Sequence, residues 1–263
     1  MEHVPGPDAA TQLTALNAAS EAFGVDDDES LAPLYTYPDR LDRPWVRANM
    51  ISSLDGGATD DGSSGGLAGP GDRALFALMR QAADVILVGA ATAQIENYGG
   101  AQMSVAQRQA RQARGQSEVP PIAVVTHHAD FPHDSKLFTH ASVPPLILTS
   151  RDNIDDTCRR FTGLAEVIDA SGAAPDRVDL KVVLRIFADR GLKRVLTEGG
   201  PSLLSLLIED DLLDELCVTI APILVGGSAR RIASGHGQAH TRMRRSHLLT
   251  DDEGYLYTRY IRT

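Results

Sequence analysis

The chain has 263 residues, and its 25 Lys and Arg against 35 Asp and Glu give a formal net charge of −10. With 43% hydrophobic and 23% charged residues, the composition is that of a globular protein and excludes a disordered or collagen-like chain. The excess of acid argues against a nucleic-acid-binding protein, which needs a basic face to neutralise phosphates, but it permits a local basic pocket.

The sequence carries no sign of a membrane span, a secretion signal or a metal centre. Its apolar stretches fall short of the roughly 18 residues of a spanning helix, and the first residues lack the cationic start and apolar run of a signal peptide. Cys158 and Cys217 are too few for a disulfide framework or a zinc site, and we expect both to be small core residues. We therefore expect a cytoplasmic protein without metal, membrane or nucleic-acid partners.

Residues 1–43 are predicted to form an N-terminal extension rather than a domain. They include an acidic run and several prolines that interrupt regular structure. A short helix is predicted around 11–23. The apolar side chains of Leu34, Tyr35 and Tyr37 are predicted to dock the extension on the rest of the chain.

From residue 44 onward, apolar runs alternate with segments of helical periodicity, which is typical of an α/β fold with a mostly parallel central sheet. Strands are predicted at 46–52, 84–89, 121–126, 145–149, 165–169, 193–197 and 216–221. Apolar stripes predict helices over 75–82 and 182–190. The segments 242–249 and 255–261 flank a turn sequence and predict a C-terminal antiparallel hairpin.

Two loops at predicted strand ends carry polar groups where an α/β sheet binds its ligands. The sequence Ser-Leu-Asp-Gly-Gly at 53–57 supplies Ser53 and Asp55. The alternative interpretation of this loop is an ordinary turn, in which the Asp55 carboxylate accepts hydrogen bonds from the backbone of the turn itself. At 88–92, Gly89 and Thr92 lie where a helix start offers free N–H groups to a phosphate. Such strand-to-helix junctions are also common where no ligand binds.

A third loop, Leu-Thr-Glu-Gly-Gly-Pro-Ser-Leu-Leu at 196–204, combines a glycine pair with a proline suited to the first turn of a helix. It is neither a dinucleotide Gly-x-Gly-x-x-Gly motif nor a lysine-containing phosphate loop. Glu198 is either a ligand carboxylate or a helix N-terminal carboxylate. A fourth segment, Gly226-Gly227 with Arg230-Arg231, is either a phosphate site or a loop with solvated charges.

In this order the motifs resemble the riboflavin-biosynthesis pyrimidine reductase family, which is related in fold to dihydrofolate reductase. The matching sequences are Ser-Leu-Asp-Gly at 53–56, Leu-Met-Arg at 78–80, Val-Gly-Ala-Ala-Thr at 88–92, Glu-Gly-Gly at 198–200, Leu-Asp-Glu at 213–215 and Ala-Pro-Ile-Leu-Val-Gly-Gly at 221–227. The resemblance implies a dihydrofolate-reductase-like domain over 44–263. Family members often carry an N-terminal zinc deaminase domain, and this sequence resembles the stand-alone reductase.

The resemblance implies NADPH as hydride donor and a small heterocyclic substrate, 5-amino-6-(5-phosphoribosylamino)uracil. Hydride would add to the sugar carbon of a C=N form and leave a ribityl chain. Cofactor contacts are implied for Gly89, Thr92, Glu96, Thr126, Gly199, Gly200, Pro201, Ser202, Leu203 and Leu204. Substrate contacts are implied for Asn49, Ser53, Ser64, Arg80 and Glu198, and catalytic roles are expected for Glu198 and Asp55.

Three departures from the family pattern affect the substrate prediction. Asn49 stands at the family lysine, Glu-Asn-Tyr at 96–98 replaces Asp-Asn-Pro, and Met103 falls near an expected arginine. Losing both cations should weaken binding of a phosphorylated sugar unless Arg108 or Arg111 compensates. The alternatives are therefore a reductase of a dihydropterin or dihydrofolate and a non-catalytic nucleotide-binding protein.

A homodimer is also implied by the resemblance. The predicted hairpin offers Leu256, Tyr257 and Tyr260 as an apolar edge for it, although the same residues would also suit a core.

Overall fold

The computed structural model describes Gly24 and residues 28–263. The helix predicted around 11–23 lies outside the described residues. The strands are β1 Trp45–Ser53, β2 Val85–Gly89, β3 Ile122–Val125, β4 Leu146–Thr149, β5 Glu166–Asp169, β6 Arg194–Thr197, β7 Glu215–Ala221, β8 Met243–Thr250 and β9 Leu256–Arg262. The helices are α1 Asp28–Leu31, α2 Pro70–Ala82, α3 Ala90–Ile95, α4 Val105–Ala113, α5 Lys136–Thr139, α6 Ile154–Arg160, α7 Leu180–Asp189 and α8 Pro201–Glu209. Two 3₁₀-helices cover Ala32–Tyr35 and Arg151–Asn153.

All nine strands form one sheet in the order β5-β4-β3-β2-β6-β1-β7-β9-β8. The first seven strands in this order, from β5 at the edge to β7, all pair in parallel. Strands β8 and β9 form an antiparallel hairpin, in which β9 pairs with β7. The predicted α/β class, the mostly parallel sheet and the terminal hairpin are thereby confirmed. This order brings the carboxyl ends of β3, β2, β6, β1 and β7 side by side at one edge of the sheet, where open α/β sheets bind ligands.

Both faces of the sheet are covered, because alternate residues of β2 belong to different apolar clusters. Ile86 and Val88 pack with side chains of α2, whereas Val85 and Leu87 pack with side chains of α7 and α8. A strand buried on both faces cannot alternate between apolar and polar residues, which is why β2 reads as a continuous apolar run.

A buried charge cluster attaches the segment before β1 to the sheet. The carboxylate of Glu215 accepts hydrogen bonds from Arg47 Nε at 2.5 Å and from Arg259 Nε at 2.7 Å. The two guanidinium groups donate in turn to the backbone carbonyls of residues 34–36. The ring of Tyr37 stacks on the Arg47 guanidinium at 4.0 Å. Tyr35 and Tyr37 are buried and Leu34 packs against the core, as predicted, and the two arginines add hydrogen bonds to the backbone of this segment that the apolar pattern does not reveal.

The cysteine prediction holds for only one of the two residues. Cys217 is buried in β7, but Cys158 is exposed on α6. Its helix packs through other positions, with Thr157 as its buried residue.

The terminal hairpin does not present its aromatic side chains as a free edge. Strand β9 lies between β7 and β8, so β8 forms the edge of the sheet. Tyr257 is buried in the apolar core, while Leu256 and Tyr260 are half-buried. Tyr257 is therefore a core residue and not part of an exposed dimer edge. The predicted homodimer is supported only by the family resemblance.

Within the described part of the chain, no helix has the length and apolar character needed to cross a bilayer. Nor do the described His, Cys, Asp and Glu side chains form a group of three that could hold a metal ion.

Candidate active site

A cavity of 1480 Å³ follows the carboxyl edge of the sheet from β3 to the loop after β7. Its lining includes Thr126 after β3, Gly89 at the end of β2, Glu198 after β6, Asn49 in β1 and Arg230 after β7. Sites for a single drug-sized ligand typically measure roughly 300–1,000 Å³. This cavity therefore has room for a cofactor and a small substrate together.

The loop between β6 and α8 approaches β2 and α3 very closely. Gly199 has a φ of +79°, a conformation that glycine adopts without strain, and its carbonyl accepts a hydrogen bond from the Gly89 N–H at 2.8 Å. A Cβ atom on Gly200 would overlap the hydroxyl oxygen of Thr92. The two glycines thus allow a close backbone approach, and the positive φ of Gly199 favours glycine at that position.

Helix α8 begins at the cavity with Pro201 in its first turn. The first N–H groups of a helix have no partner within the helix, and the helix dipole makes this end favourable for an anion. The backbone of Ser202 and Leu203 carries these groups, and both residues line the cavity. This turn can hold the phosphates of a nucleotide.

Eight of the ten predicted cofactor residues line this cavity, namely Gly89, Thr92, Glu96, Thr126, Gly200, Pro201, Ser202 and Leu203. The other two, Leu204 and Gly199, do not line it. Leu204 is fully buried in the apolar cluster, because helical periodicity turns it away from the face that Ser202 presents. Gly199 is buried and outside the lining, and its backbone conformation shapes the loop.

Glu198 and Arg80 form a closely paired, largely buried ion pair. Arg80 Nε and Nη2 donate to the two carboxylate oxygens of Glu198 at 2.7 and 2.8 Å. The exposed fractions of the two side chains are 16% for Arg80 and 2% for Glu198. Burial disfavours the charged guanidinium, but the adjacent carboxylate outweighs it and raises the pKa of Arg80.

Tyr98 is a third member of this group that the sequence alone did not single out. Its phenol donates a hydrogen bond to Glu198 Oε2, and its ring lies 5.3 Å from the Arg80 guanidinium. Burial and the negative charge of Glu198 raise the pKa of Tyr98, so the phenol keeps its proton. The available signal was its position, because Tyr98 replaces the proline of the family pattern. Tyr98 and Glu198 both line the cavity, with Arg80 behind them.

Asp55 joins two loops at the end of the cavity. Its carboxylate accepts hydrogen bonds from Ser53 Oγ at 2.6 Å and from the N–H groups of Gly226 at 2.7 Å and Val225 at 3.2 Å. These bonds, that of Ser53 first, lower the pKa of Asp55 to about 2. Neither Ser53 nor Asp55 lines the cavity. These contacts fit the turn interpretation of both residues, while the catalytic role of Asp55 and the substrate contact of Ser53 stay predictions.

We expect Asp55→Asn to loosen the loop after β7. The amide cannot offer two anionic oxygens to the Gly226 and Val225 N–H groups, so limited proteolysis should cleave within 222–242 faster than in the parent. The carboxylate contact should be fully present above the usual Asp pKa and lost as the pH falls through about 2. Asp252→Asn, in the exposed hairpin turn, is the control, and equal cleavage of both variants would contradict the assignment.

Arg108 and Arg111 do not replace the missing family cations. Arg111 is fully buried and donates to the carbonyls of Gln81, Ala83 and Ser117, so it satisfies backbone groups at the end of α2. Arg108 donates to the Met103 carbonyl and pairs with Glu118. Neither arginine lines the cavity, and the Met103 side chain is buried in the core.

The cavity instead carries three arginines from other parts of the chain. Arg73 is in the first turn of α2, Arg230 belongs to the fourth sequence motif, and Arg177 lies in the loop before α7. None of the three forms an ion pair with a described residue. Sequence reasoning missed Arg73 and Arg177, because a single arginine on a helix or in a polar loop carries no local signal.

Asn49 and Ser64 both line the cavity as expected. The Ser64 N–H donates to Glu96 Oε1 at 2.7 Å, which ties the loop before α2 to the end of α3. Glu96 therefore engages the protein backbone with one of its oxygens.

A protein-family model described as the RibD C-terminal domain matches residues 44–257. The chain belongs to the RibD C-terminal domain family. The family resemblance drawn from the motifs is thus confirmed.

Several similar proteins can be compared with this chain. A 2,5-diamino-6-ribosylamino-4(3H)-pyrimidinone 5′-phosphate reductase of Archaeoglobus fulgidus is 28% identical over 186 residues, which cover 70% of this chain and 83% of that protein. The riboflavin biosynthesis protein RibD of Bacillus amyloliquefaciens is 28% identical over 212 residues, 80% of this chain and 54% of that protein. The chain thus spans about half the length of this RibD relative.

Among solved structures, a pyrimidine reductase-like protein from Corynebacterium diphtheriae superposes with a TM-score of 0.75 at 28% identity. The match covers 84% of this chain and 92% of that chain.

Proposed function

We propose that this protein is an NADPH-dependent reductase that acts on a phosphoribosylaminopyrimidine, of the 5-amino-6-(5-phosphoribosylamino)uracil reductase type, in riboflavin biosynthesis. The observation that carries the proposal is the joint cavity, in which the free helix start of α8 and the Glu198 carboxylate, held from behind by Arg80, line one space large enough for two ligands. The name of the Archaeoglobus fulgidus relative supplies the substrate class, and that of the Bacillus amyloliquefaciens relative supplies the pathway.

The described residues fit a nicotinamide dinucleotide. The first turn of α8 would hold its phosphates through the N–H groups of Ser202 and Leu203, with the hydroxyls of Ser202 and Thr92 beside them. Gly200 adds no side chain to this part of the cavity wall. When bound, NADPH supplies the hydride, and the protein's task is to orient the two reacting carbons.

At the substrate end, Glu198 is held by Arg80 and Tyr98 in one orientation. A carboxylate fixed in this way has one lone-pair site left on Oε1, through which it can accept an N–H bond from a pyrimidine ring. Arg73 and Arg230 offer charge to the phosphate of the substrate, although Asp60, Asp61 and Asp72 also line this end.

Reduction of a dihydropterin or dihydrofolate is the second candidate function. Asn49 lines the cavity without a charge, and Met103 is buried away from it, so neither family cation is retained. A substrate without a phosphate would not require them.

NADPH oxidation with each substrate tests both candidates in parallel. The proposal expects turnover with the phosphoribosylamino-pyrimidinone or the corresponding uracil, and none with dihydrofolate. Turnover with dihydrofolate alone would support the second candidate. Binding of NADPH without turnover on any of them would instead support a non-catalytic nucleotide-binding protein.

Asn49→Lys should improve activity on the phosphorylated substrate. One added charge-assisted contact is worth about 1.5–3 kcal/mol, so kcat/KM should rise roughly tenfold or more. Steady-state kinetics on the phosphorylated and dephosphorylated pyrimidines would measure it, since only the first should gain. Asn49→Met adds similar length without charge and is the matched control. An unchanged rate for Asn49→Lys would mean that the phosphate lies elsewhere.

The proposal extends to a homodimer working in the cytoplasm, as the family resemblance implies. Sedimentation equilibrium tests the assembly, and a species of monomer mass alone would contradict it.

A further inference from the structure

Arg177 is an exposed cation at the end of the cavity that lies beyond β3. It stands in the loop between β5 and α7, and it lines the cavity together with His127, which follows β3. Strands β2 and β6 separate this end from β1, and neighbouring strands lie about 4.8 Å apart. Arg177 is therefore remote from Asn49 and from the proposed substrate end.

The loop that carries Arg177 is tied down on both sides. Ser171 and Val178 form an antiparallel bridge across it, and the Ser171 hydroxyl oxygen accepts a hydrogen bond from the Arg151 N–H at 2.7 Å. The Pro175 carbonyl accepts a further bond from the Asp152 N–H. The backbone beneath the guanidinium is thus fixed, which lowers the entropic cost of binding a ligand there.

Arg177 differs from the other arginines on this side of the sheet, because its charge is not neutralised. Arg151 pairs with Asp169 at 3.0 Å, and Arg160 pairs with Asp130 and Asp156. Among the described residues, Arg177 has no hydrogen bond, ion pair or ring contact. An uncompensated guanidinium carried by an anchored backbone at a cavity wall is suited to an anionic ligand group.

The carboxylates of the cavity all lie elsewhere. They are Asp60, Asp61, Asp72, Glu96 and Glu198, and none of them follows β3 or stands in the loop before α7. Nucleotide sites that prefer NADH place a carboxylate on the adenosine ribose, whereas sites that prefer NADPH place an arginine near its 2′-phosphate. The first turn of α8, which follows β6, provides for the pyrophosphate, and Arg177 lines the same cavity from the loop after β5.

We propose that Arg177, with His127 beside it, binds the adenosine 2′-phosphate and makes the site selective for NADPH over NADH. The inference rests on the proposed function, since it takes a nicotinamide dinucleotide as the ligand, and it names the residue that selects between the two forms. Arg177 is thus a specificity-determining residue and takes no part in hydride transfer.

Calorimetric titration of the full chain with NADPH and NADH tests the assignment. Losing a charge-assisted contact should make Arg177→Ala bind NADPH about tenfold to a hundredfold more weakly, with NADH binding unchanged. Arg177→Glu should weaken NADPH further, because it sets a like charge against the 2′-phosphate. Adenosine 2′,5′-bisphosphate should show the same loss as NADPH, and AMP should show none.

Arg185→Ala is the matched control, because this exposed arginine lies on α7 and does not line the cavity. It should leave both affinities unchanged, and thermal melts should coincide for all variants. Equal losses of NADPH and NADH in Arg177→Ala would overturn the assignment, as would no loss of either. If the parent protein binds neither dinucleotide, the proposed function itself fails. If the parent binds NADPH and only the variant result is negative, this inference alone fails.

Discussion

Glu198→Gln should lower kcat at least tenfold, a rise in barrier of about 1.4 kcal/mol, while NADPH affinity hardly changes. The neutral amide offers only one acceptor oxygen, so it loses one of the two bonds from Arg80 and the fixed orientation that we propose for substrate binding. Steady-state turnover combined with titration of NADPH separates the two effects.

Tyr98→Phe is the companion variant to Glu198→Gln. It removes the phenol bond to Glu198 but leaves the pair with Arg80 intact, so its effect on kcat should be smaller. Thermal melts show whether either variant merely unfolds. If Glu198→Gln weakens NADPH binding and leaves kcat unchanged, Glu198 belongs to the cofactor site and not to the substrate end.

Glu215→Ala should lower the free energy of unfolding by about 3–5 kcal/mol, because it leaves two guanidinium groups without their carboxylate in the interior. Arg47 and Glu215 are fully buried, and Arg259 is nearly so. The same two arginines hold the carbonyls of residues 34–36, so the N-terminal segment should detach as well. Denaturant unfolding measures the loss of stability, and proteolysis near residue 36 measures the detachment.

Glu166→Ala provides the control for Glu215→Ala. Glu166 makes a comparably short pair with Arg190, at 2.6 Å, but both side chains are exposed. A surface pair contributes about 0–1 kcal/mol, so this variant should unfold nearly like the parent. Similar losses for the two variants would mean that burial of the Glu215 cluster does not decide its contribution.

The layered fold could be predicted because its signals are local. A strand such as β2 reads as an apolar run bounded by Gly89, and the stripe along α2 has helical spacing. The Arg47–Glu215–Arg259 cluster could not be predicted in this way. Its members lie on β1, β7 and β9, and only the pairing of these strands brings the three charges together.

The same contrast between local signals and long-range contacts applies to the residues of the candidate site. Gly200, Ser202 and Thr92 were predicted because their motifs mark strand ends, and strand ends share one edge of a parallel sheet. The cations were predicted less well, since an arginine side chain takes its direction from its surroundings. Arg111 donates hydrogen bonds to buried backbone carbonyls. Arg177 lines the cavity, although the loop that carries it contains no recognisable motif.

Transfer of deuterium from NADPH labelled at C4 of the nicotinamide tests the central claim most directly. If the protein is the proposed reductase, the label from one face of the nicotinamide should appear on the sugar carbon bonded to the amino nitrogen of the pyrimidine product, as read by NMR and mass spectrometry. Failure to oxidise NADPH with the phosphoribosylaminopyrimidine, or a product that carries no deuterium at that carbon from either labelled face, would contradict the account.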